Sequence, residues 1–217
     1  MSGAEQAPAH RAGAIREAAR AYIERGFRVI PMYGVDPAGG CRCGGHKCNA
    51  GKHEFEHLDG RWKEGHDFKP ADFDADMNMA IALGPWRPGK WLVCLDLDGV
   101  SKAHEAHEIA HWLTPTLMAK SPRGVHVFYW VPDYTPLGNW VDCFKTKHTL
   151  GYAIDVRYAR GKINVAPSRT ASGTYTWLEP DPGIAQLPWP ILDRILDERR
   201  RRKLPVASRW QRDGKRA

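Results

Sequence analysis

The sequence has no long uninterrupted apolar stretch, and this absence narrows the classes of protein that it can encode. No apolar run approaches the roughly 20 residues that a membrane-spanning helix needs. The N-terminus also lacks the apolar core of a secretory signal peptide. We therefore expect a soluble, cytoplasmic protein without a membrane partner.

Cysteine is scarce, and its placement does not favour disulfides. Three of the five cysteines, Cys41, Cys43 and Cys48, fall within one short segment, a spacing more typical of metal ligands than of a disulfide framework. The phosphate-binding motif G-x-x-x-x-G-K-[ST] is also missing. We therefore expect no helicase domain within these residues, and we find no internal repeat.

The composition is that of an ordinary globular protein, with 42% hydrophobic and 26% charged residues among 217. The net charge of +7 is concentrated at one end. Residues 191–217 contain ten basic and four acidic side chains, so they account for most of it. Such a tail is either a solvated helix end or a contact for phosphate or an acidic partner.

Hydrophobic periodicity predicts an α+β protein with a mixed or mostly antiparallel sheet. Helices are predicted at 12–27, 101–113 and 188–203, and strands are predicted at FRVIPM, NMAIALG, WLVCLDLDG, TLMAK, VHVFYWVP, YAIDVRY, INVAPS and TYTWLE. We expect residues 1–11 to be disordered, 12–187 to form one domain with an insert at about 33–66, and 188–217 to form a basic helix and tail.

Two acids, Asp96 and Asp98, end an apolar strand with one residue between them. Alternation along a strand puts both side chains on one face, where like charges repel unless a cation lies between them. Asp155 lies within another apolar strand, where an unpaired carboxylate is costly. The three acids predict a Mg²⁺ or Mn²⁺ site, although a strand end that simply meets solvent would also explain the first pair.

The segment Ser121-Pro-Arg-Gly-Val-His126 combines hydrogen-bond donors with a turn. Ser121, Arg123 and His126 suit a polyphosphate, and Gly124 would let oxygen atoms approach the backbone. A histidine on a strand is more often a core residue or a surface donor, so His126 has two interpretations at this point.

The segment CRCGGHKCNAGKH supplies Cys41, Cys43, Cys48 and two histidines, His46 and His53, at spacings that suit tetrahedral Zn²⁺. A long glycine-rich loop needs an ordering element, and a metal ion provides one. Buried or chemically idle thiols are the alternative.

HEIAH, residues 107–111, matches the H-E-x-x-H pattern of zinc metalloproteases. Thr114 and Leu117 stand where the extended pattern requires Gly and His, and no helix carrying a third ligand is predicted next. A solvated helix face is the better interpretation.

The order of these motifs resembles the bifunctional DNA primase/polymerase (prim-pol) family of the archaeo-eukaryotic primase superfamily, which is often encoded by phages and plasmids. The resemblance spans roughly residues 12–180 and includes YIERGFRVIPM, NMAIALG, CLDLDG, SPRGVHVFY, IDVRY, INVAPS and TYTW. It also extends to a C-x-C…C…G-K-H insert, which favours His53 over His46 as the fourth zinc ligand.

The resemblance implies an RRM-like sheet on which Asp96, Asp98 and Asp155 bind two catalytic Mg²⁺ or Mn²⁺ ions. It implies that His126 contacts the phosphates of the incoming nucleotide, beside Ser121, Arg123 and Gly124. Arg157 and Lys162 match more loosely, as phosphate or template contacts. The zinc insert would be structural or would bind template, because all four ligand positions are occupied by protein groups.

The expected function is template-directed transfer of nucleotides from NTPs or dNTPs, onto a primer or de novo on single-stranded DNA, in phage or plasmid replication within a bacterial host. A helicase partner or fused helicase domain is expected in addition. The alternative is a zinc-bearing module that binds single strands without catalysis. The three acids argue against it, because carboxylates repel a phosphate backbone.

Overall fold

The computed structural model of the protein describes residues 8–45, 48–55, 61–64, 66–99, 114–144, 153–178 and 183–206. They form two α-helices, two short 3₁₀ helices, and eleven strands whose ladders are all antiparallel. The helices are α1 (Pro8–Glu24) and α2 (Trp189–Arg202). The strands are β1 (Val29–Tyr33), β2 (Met77–Ala82), β3 (Gly84–Arg87), β4 (Lys90–Asp98), β5 (Met118–Lys120), β6 (Gly124–Pro132), β7 (Ala153–Arg157), β8 (Lys162–Asn164), β9 (Arg169–Thr170), β10 (Gly173–Thr174) and β11 (Thr176–Trp177). This architecture confirms the α+β prediction.

Helix α1 begins earlier than its apolar pattern predicts. It starts at Pro8, so residues 8–11, which we expected to be disordered, are helical. Proline suits a first helical turn, where its missing N–H would have no partner, and this explains the earlier start. Ile15 and Ala19 are fully buried on one face of the helix, and Gly26 at φ +85° follows its end.

Helix α2 spans nearly the predicted range and packs on the protein body through Leu192 and Ile195. It ends at Lys203 in the left-handed conformation. The predicted helix at 101–113, including the HEIAH motif, lies outside the described residues. In the part of the chain that the structure describes, neither helix is both long and apolar enough to cross a membrane.

The larger sheet has the strand order β11-β5-β6-β4, and β4 pairs along its other edge with β3 and then β7. The sequence did not predict β3, because its Pro85 and the following Pro88-Gly89 are typical of a turn. Instead β3 and β4 form a hairpin with an irregular register between Pro85 and Arg87. Strand β4 therefore lies at the centre of the sheet, with neighbours along its whole length.

Two apolar cores cover the two faces of this sheet. On one face, Leu92, Cys94 and Phe128 join α1 and the small sheet β1-β2-β8 in a single cluster. On the other face, residues such as Val93 and Leu95 pack against α2. The even-numbered residues of β4 thus face the small sheet, and Asp96 and Asp98 continue that row beyond the edge of the apolar cluster.

Candidate active site and metal cluster

Asp96 lies in the middle of a row of polar side chains that crosses three strands. It is directly opposite His126 on β6 and directly opposite Asp155 on β7. Residues that pair directly across antiparallel strands share one face of the sheet, and Asp98 lies on the same face two residues further on. The register therefore brings the three predicted acids and the predicted histidine to one end of one sheet face.

Arg157 links two of the acids. Its Nη2 is 2.6 Å from Oδ2 of Asp155, and its Nε is 3.7 Å from Oδ2 of Asp96. The other carboxylate oxygen of Asp155 accepts a hydrogen bond of 2.7 Å from the backbone N–H of Asp142. Only 7% of the Asp155 side chain and 17% of the Asp96 side chain are exposed, so both carboxylates lie in a partly desolvated site.

Burial raises the pKa of Asp96 to about 6, because the surroundings disfavour the charged form. Arg157 opposes this rise, and the nearby charge of Asp98 adds to it. Burial also raises the pKa of Asp155, against the lowering effects of the Asp142 backbone and Arg157. The positive charge near Asp96 and Asp155 is therefore too small to offset the desolvation of these two carboxylates.

His126 is buried beside this pair. Its Nε2 is 3.5 Å from Oδ1 of Asp96, and its ring centroid is 5.6 Å from that of Tyr175. Burial lowers the pKa of His126 to about 3, the positive charge of Lys52 lowers it further, and an interaction with the backbone of Asn164 raises it. The imidazole is therefore neutral near pH 7 and can donate one N–H.

The turn before β6 carries the remaining predicted phosphate contacts. The Ser121 N–H donates to the Gly124 carbonyl at 2.8 Å, and the Arg123 N–H reaches the Ser121 hydroxyl at 3.4 Å. Gly124 lies opposite Asp98, and a Cβ there would overlap the Leu97 carbonyl oxygen. The close packing of this turn on β4 explains the need for glycine.

Arg123 extends from the turn to Asp98, where its Nη2 is 2.9 Å from the carboxylate. Both side chains are well exposed. Asp98 is therefore the most accessible of the three acids, and its ion-pair partner, Arg123, is itself an exposed and flexible side chain. A bound cation could replace this partner at little cost, because exposed ion pairs contribute little stability.

The three carboxylates are of the chemical type that a divalent metal site uses, and they share one end of one sheet face. Hard cations such as Mg²⁺ prefer carboxylate oxygen ligands, and two of these acids are desolvated beyond what their partners offset. Among the described residues, however, the only set of three or more potential ligand atoms within 4.8 Å of one another is the Cys/His cluster. The acids instead contact Arg157 and Arg123.

The Cys/His cluster consists of Cys41, Cys43, Cys48 and His53, whose ligand atoms all lie within 4.8 Å of one another. The Cys41 sulfur is 3.0 Å from Nε2 of His53, and the sulfurs of Cys43 and Cys48 are 3.3 Å apart. Three thiols and one imidazole form a tetrahedral zinc donor set, so this cluster could hold zinc. His46, the competing ligand, lies outside the described residues.

The protonation of these thiols also suits a cation. Burial raises the pKa of Cys41, but hydrogen bonds from the backbone of Cys43 and Gly51 and from His53 outweigh it and bring the pKa to about 6. The adjacent Cys43 raises the pKa of Cys48 to about 12. Several thiolates this close together repel one another, and a bound Zn²⁺ would remove the repulsion.

The end of the Cys/His segment is attached to the small sheet. The Gly51 carbonyl accepts hydrogen bonds from the side-chain amides of Asn164, at 2.8 Å, and Asn78, at 3.0 Å. The His53 carbonyl accepts from the Tyr33 N–H at 2.9 Å. The Glu54 carboxylate forms an ion pair with Lys162. The segment is therefore fixed on β1, β2 and β8.

Lys162 is the one predicted nucleotide contact that the structure does not bring to the acids. Its described partners are Glu54 and the ring of Trp62, whose Nε1 also donates to Glu54 at 3.3 Å. The sequence did not reveal this pairing, because Glu54 and Lys162 are far apart in the chain.

Lys52 is a residue near the acids that the sequence analysis did not assign. Burial lowers its pKa, the nearby Arg123 lowers it further, and Asp96 and Asp98 raise it. In the tripeptide Gly51-Lys52-His53, the sequence predicted a role only for the histidine. The lysine next to that predicted zinc ligand was the feature of the sequence that could have drawn attention to Lys52.

Comparison with known proteins identifies one matching family. Residues 19–190 match the family described as bifunctional DNA primase/polymerase, N-terminal. The match covers all three acids, the turn before β6 and the Cys/His segment. No curated protein matches the chain.

Proposed function

The chain belongs to the bifunctional DNA primase/polymerase family, and from this premise we propose that it carries out template-directed nucleotidyl transfer at the site around Asp96. The substrates would be NTPs or dNTPs together with a single-stranded DNA template, with or without a primer strand. The observation that carries the proposal is the row formed by Asp155, Asp96 and His126 across three strands, with Asp98 beside it.

Asp96, Asp98 and Asp155 would hold two Mg²⁺ or Mn²⁺ ions, which when bound activate the attacking hydroxyl and stabilise charge on the transferred phosphoryl group. The chain provides a fixed support for this chemistry, because β4 is paired on both edges where the acids lie. Side chains on a central strand are held in place by two neighbours, so the acids need little ordering when substrate binds.

The groups around the acids would bind and orient the triphosphate. Arg123 offers a planar set of donors on the exposed side of the site, and the neutral His126 offers one N–H from the buried side. The buried Ser121 hydroxyl lies at the base of the same turn. Arg157 would keep Asp155 and Asp96 oriented, since it contacts both.

We further propose that this activity belongs to phage or plasmid replication and acts together with a helicase, either as a partner or as a fused domain. The support is the motif resemblance described above. The alternative, a module that binds single strands without catalysis, makes a different prediction about divalent metal: binding would not require it.

The test is primer synthesis and extension on single-stranded templates, with NTPs and dNTPs supplied separately and with Mg²⁺ or Mn²⁺ varied. We expect metal-dependent, template-directed products from the wild type and none from Asp98→Asn. Asp133→Asn is the matched control, because Asp133 is an exposed carboxylate next to the opposite end of β6. Tight single-strand binding without any nucleotide addition would favour the binding module instead.

A further inference from the structure

A cavity of about 350 Å³ lies beside the β3–β4 hairpin, at the end of β4 that is remote from the acids. Its volume falls within the range of pockets that bind small organic groups. The aromatic and charged side chains among its described lining residues are Arg25, Phe27, Trp86, Arg87, Lys90 and Trp130. We call it the hairpin cavity.

The hairpin cavity and the acid site occupy opposite ends of one row of residues on β4. Lys90 begins this even-numbered row, Leu92 and Cys94 follow within a buried apolar cluster, and Asp96 comes next. The distance along the strand from Lys90 to Asp96 is roughly 20 Å, at about 3.3 Å per residue. The hairpin cavity is therefore a separate site, divided from the acids by a packed core.

Two half-buried indole rings, those of Trp86 and Trp130, line the hairpin cavity. The ring of Trp86 is stacked on that of Phe27, with the centroids 6.0 Å apart and the planes 16° from parallel. Phe27 belongs to the apolar core, where it is only 3% exposed. The core thus holds Trp86 in place from behind, and the indole forms part of a wall that exists before any ligand binds.

Each of these two indoles has a cation over its ring. The guanidinium carbon of Arg87 is 4.3 Å from the ring centroid of Trp86, and the ammonium of Lys90 is 4.3 Å from that of Trp130. The guanidinium of Arg25 lies 5.6 Å from the ring of Phe27. Among the described residues that line the hairpin cavity, three are cationic and none is acidic. The lining therefore combines aromatic rings with positive charge.

Arg87 and Lys90 are paired directly across the hairpin. Like charges that lie opposite each other in an antiparallel pair destabilise it. Asp133 contacts the hairpin through its backbone N–H, which donates to the Gly89 carbonyl at 3.2 Å, but its carboxylate is not among the described lining groups. A bound anion would relieve the repulsion between Arg87 and Lys90.

Single-stranded DNA carries both kinds of group that suit this lining. Its phosphates complement the cations, and its unpaired bases have faces that stack on aromatic rings. Duplex DNA offers the same phosphates, but a base must leave its stack, at a cost, before it can enter a pocket. A free nucleotide has one base, whereas the hairpin cavity presents two indoles, each with its own cation. A strand of several nucleotides is therefore the best match.

We propose that the hairpin cavity binds single-stranded DNA, with bases stacked on Trp86 and Trp130 and with phosphates held by Arg87 and Lys90. This assignment goes beyond the proposed function, because the site lies outside the row of acids. The protein would hold a template strand at a point roughly 20 Å from the reacting nucleotide.

The first experiment measures the equilibrium affinity of the full chain for a labelled oligothymidylate, without added divalent metal. Arg87→Gln/Lys90→Gln should weaken binding about tenfold or more at about 0.1 M salt, because two phosphate contacts are lost. Trp86→Ala should weaken it roughly five- to hundredfold, the range for the loss of one stacked base. Thermal melting checks the fold of Trp86→Ala. Unchanged affinity in Arg87→Gln/Lys90→Gln, which alters no buried residue, would overturn the proposal.

Two matched variants control for charge and for aromatic surface. Arg200→Gln/Arg201→Gln removes the same charge from α2, which packs on the other face of the sheet. Trp189→Ala removes an indole that is 68% exposed at the start of α2 and does not line the hairpin cavity. Both controls should bind the strand like the wild type. Losses in the controls as large as those in the hairpin variants would count against a specific site.

The second experiment locates the strand on the protein. An oligonucleotide that contains 5-iodouracil is cross-linked by near-ultraviolet light, and the modified peptides are identified by mass spectrometry. We expect cross-links in the peptides that contain Trp86 or Trp130, and an excess of free deoxynucleoside triphosphate should not remove them. Cross-links confined to the acid end of β4 would overturn the proposal. Cross-links abolished by the free triphosphate would also overturn it, because they would assign the cavity to a mononucleotide.

These outcomes are separable from the proposed function. Asp98→Asn should lose nucleotide addition and keep the cross-links at the hairpin cavity. Arg87→Gln/Lys90→Gln should need more template for half-maximal extension but reach the wild-type rate at saturation. A wild-type protein that never extends primers, but is cross-linked at Trp86 or Trp130, would refute only the polymerase proposal. Normal extension with unchanged strand affinity in the hairpin variants would refute only the hairpin site.

Discussion

Asp96 and Asp155 lie directly opposite each other on β4 and β7, and Arg157 contacts both carboxylates from two residues further along β7. Two acids in such a pair repel each other, and burial disfavours the charge of each. Arg157 only partly compensates, since the pKa of Asp96 still rises to about 6. The pair is thus held in a charge arrangement that favours an added cation.

Asp96→Asn should separate activity from stability. Nucleotide addition should fall more than about a hundredfold, beyond the loss typical of removing an outer partner of a metal site. The folded protein should become no less stable at pH 7. Because the pKa of Asp96 is raised in the folded state from 3.8 to about 6, ionisation lowers stability as pH rises through that window, by on the order of 3 kcal/mol. Primer extension and thermal melting between pH 4 and pH 7 check both parts. Extension at the wild-type rate with saturating Mn²⁺ would remove Asp96 from the catalytic set.

His126 should remain uncharged across the physiological range. Its folded pKa of about 3 lies below the ordinary value of 6.5, so the unfolded chain binds the extra proton between these values. The stabilising contribution is therefore complete above about pH 6.5 and is lost on acidification through that window. Imidazole NMR signals should show no titration of His126 above pH 5 in the free protein. A midpoint near 6 would contradict the buried, neutral state.

His126→Leu tests the role of the imidazole as a donor while keeping an apolar side chain of similar bulk. Triphosphate affinity should fall about tenfold or more, because a hydrogen bond to a charged group is lost. Template affinity should not change. Unchanged triphosphate affinity and extension rate would make His126 a packing residue.

One zinc ion per chain should be present when the protein is purified without chelators. Cys48→Ser should lower this content, because one of four protein ligands is lost. Cys143→Ala is the matched control, since Cys143 is buried in a core away from the cluster. Metal analysis of both variants decides the matter. A zinc-free wild type would contradict the assignment, as would loss of zinc in the control alone.

Lys162→Met should reduce stability and leave nucleotide affinity unchanged, because it leaves the partly buried Glu54 without its ion-pair partner. The expected cost is about 1–3 kcal/mol, the cost of a polar group left unsatisfied. Adding Glu54→Gln should recover part of the loss, since breaking such a pair is costlier than replacing both members. Thermal melting and nucleotide titration give the two readouts. Weaker nucleotide binding with an unchanged melting temperature would restore the sequence-based role of Lys162.

The salt dependence of single-strand binding should trace to residues 207–217 and not to helix α2. Three arginines of α2 already have partners: Arg200 pairs with Asp197, Arg201 pairs with Glu198, and Arg202 donates to the carbonyls of Asp142 and Cys143. Residues 207–217 contain four basic side chains and one acidic side chain. Deleting them should flatten the slope of log affinity against log salt by up to roughly 2–3 units, at about 0.7 per phosphate contact.

The double variant Arg200→Gln/Arg201→Gln is the control, and it should keep the wild-type slope. Superimposable slopes for the truncated and full chains would assign template binding to the protein body.

The sequence by itself determined which residues share a face. Alternation along WLVCLDLDG requires Asp96 and Asp98 to point the same way, and the cysteine spacing predicts a metal cluster whatever the fold around it. Both inferences are local, since they depend on geometry within a few residues. The order of these motifs along the chain was enough to identify the family, which the match over residues 19–190 confirms.

Only the tertiary structure decided which of these local features meet. No alternation rule states that β7 pairs with β4 so that Asp155 lies opposite Asp96, or that β8 joins the small sheet and gives Lys162 to Glu54. The attachment of the Cys/His segment to the small sheet likewise depends on the Gly51 carbonyl meeting two amides from β2 and β8. Such contacts join residues far apart in the chain, and they are selected by the packing of both apolar cores and by the need to pair every buried polar group.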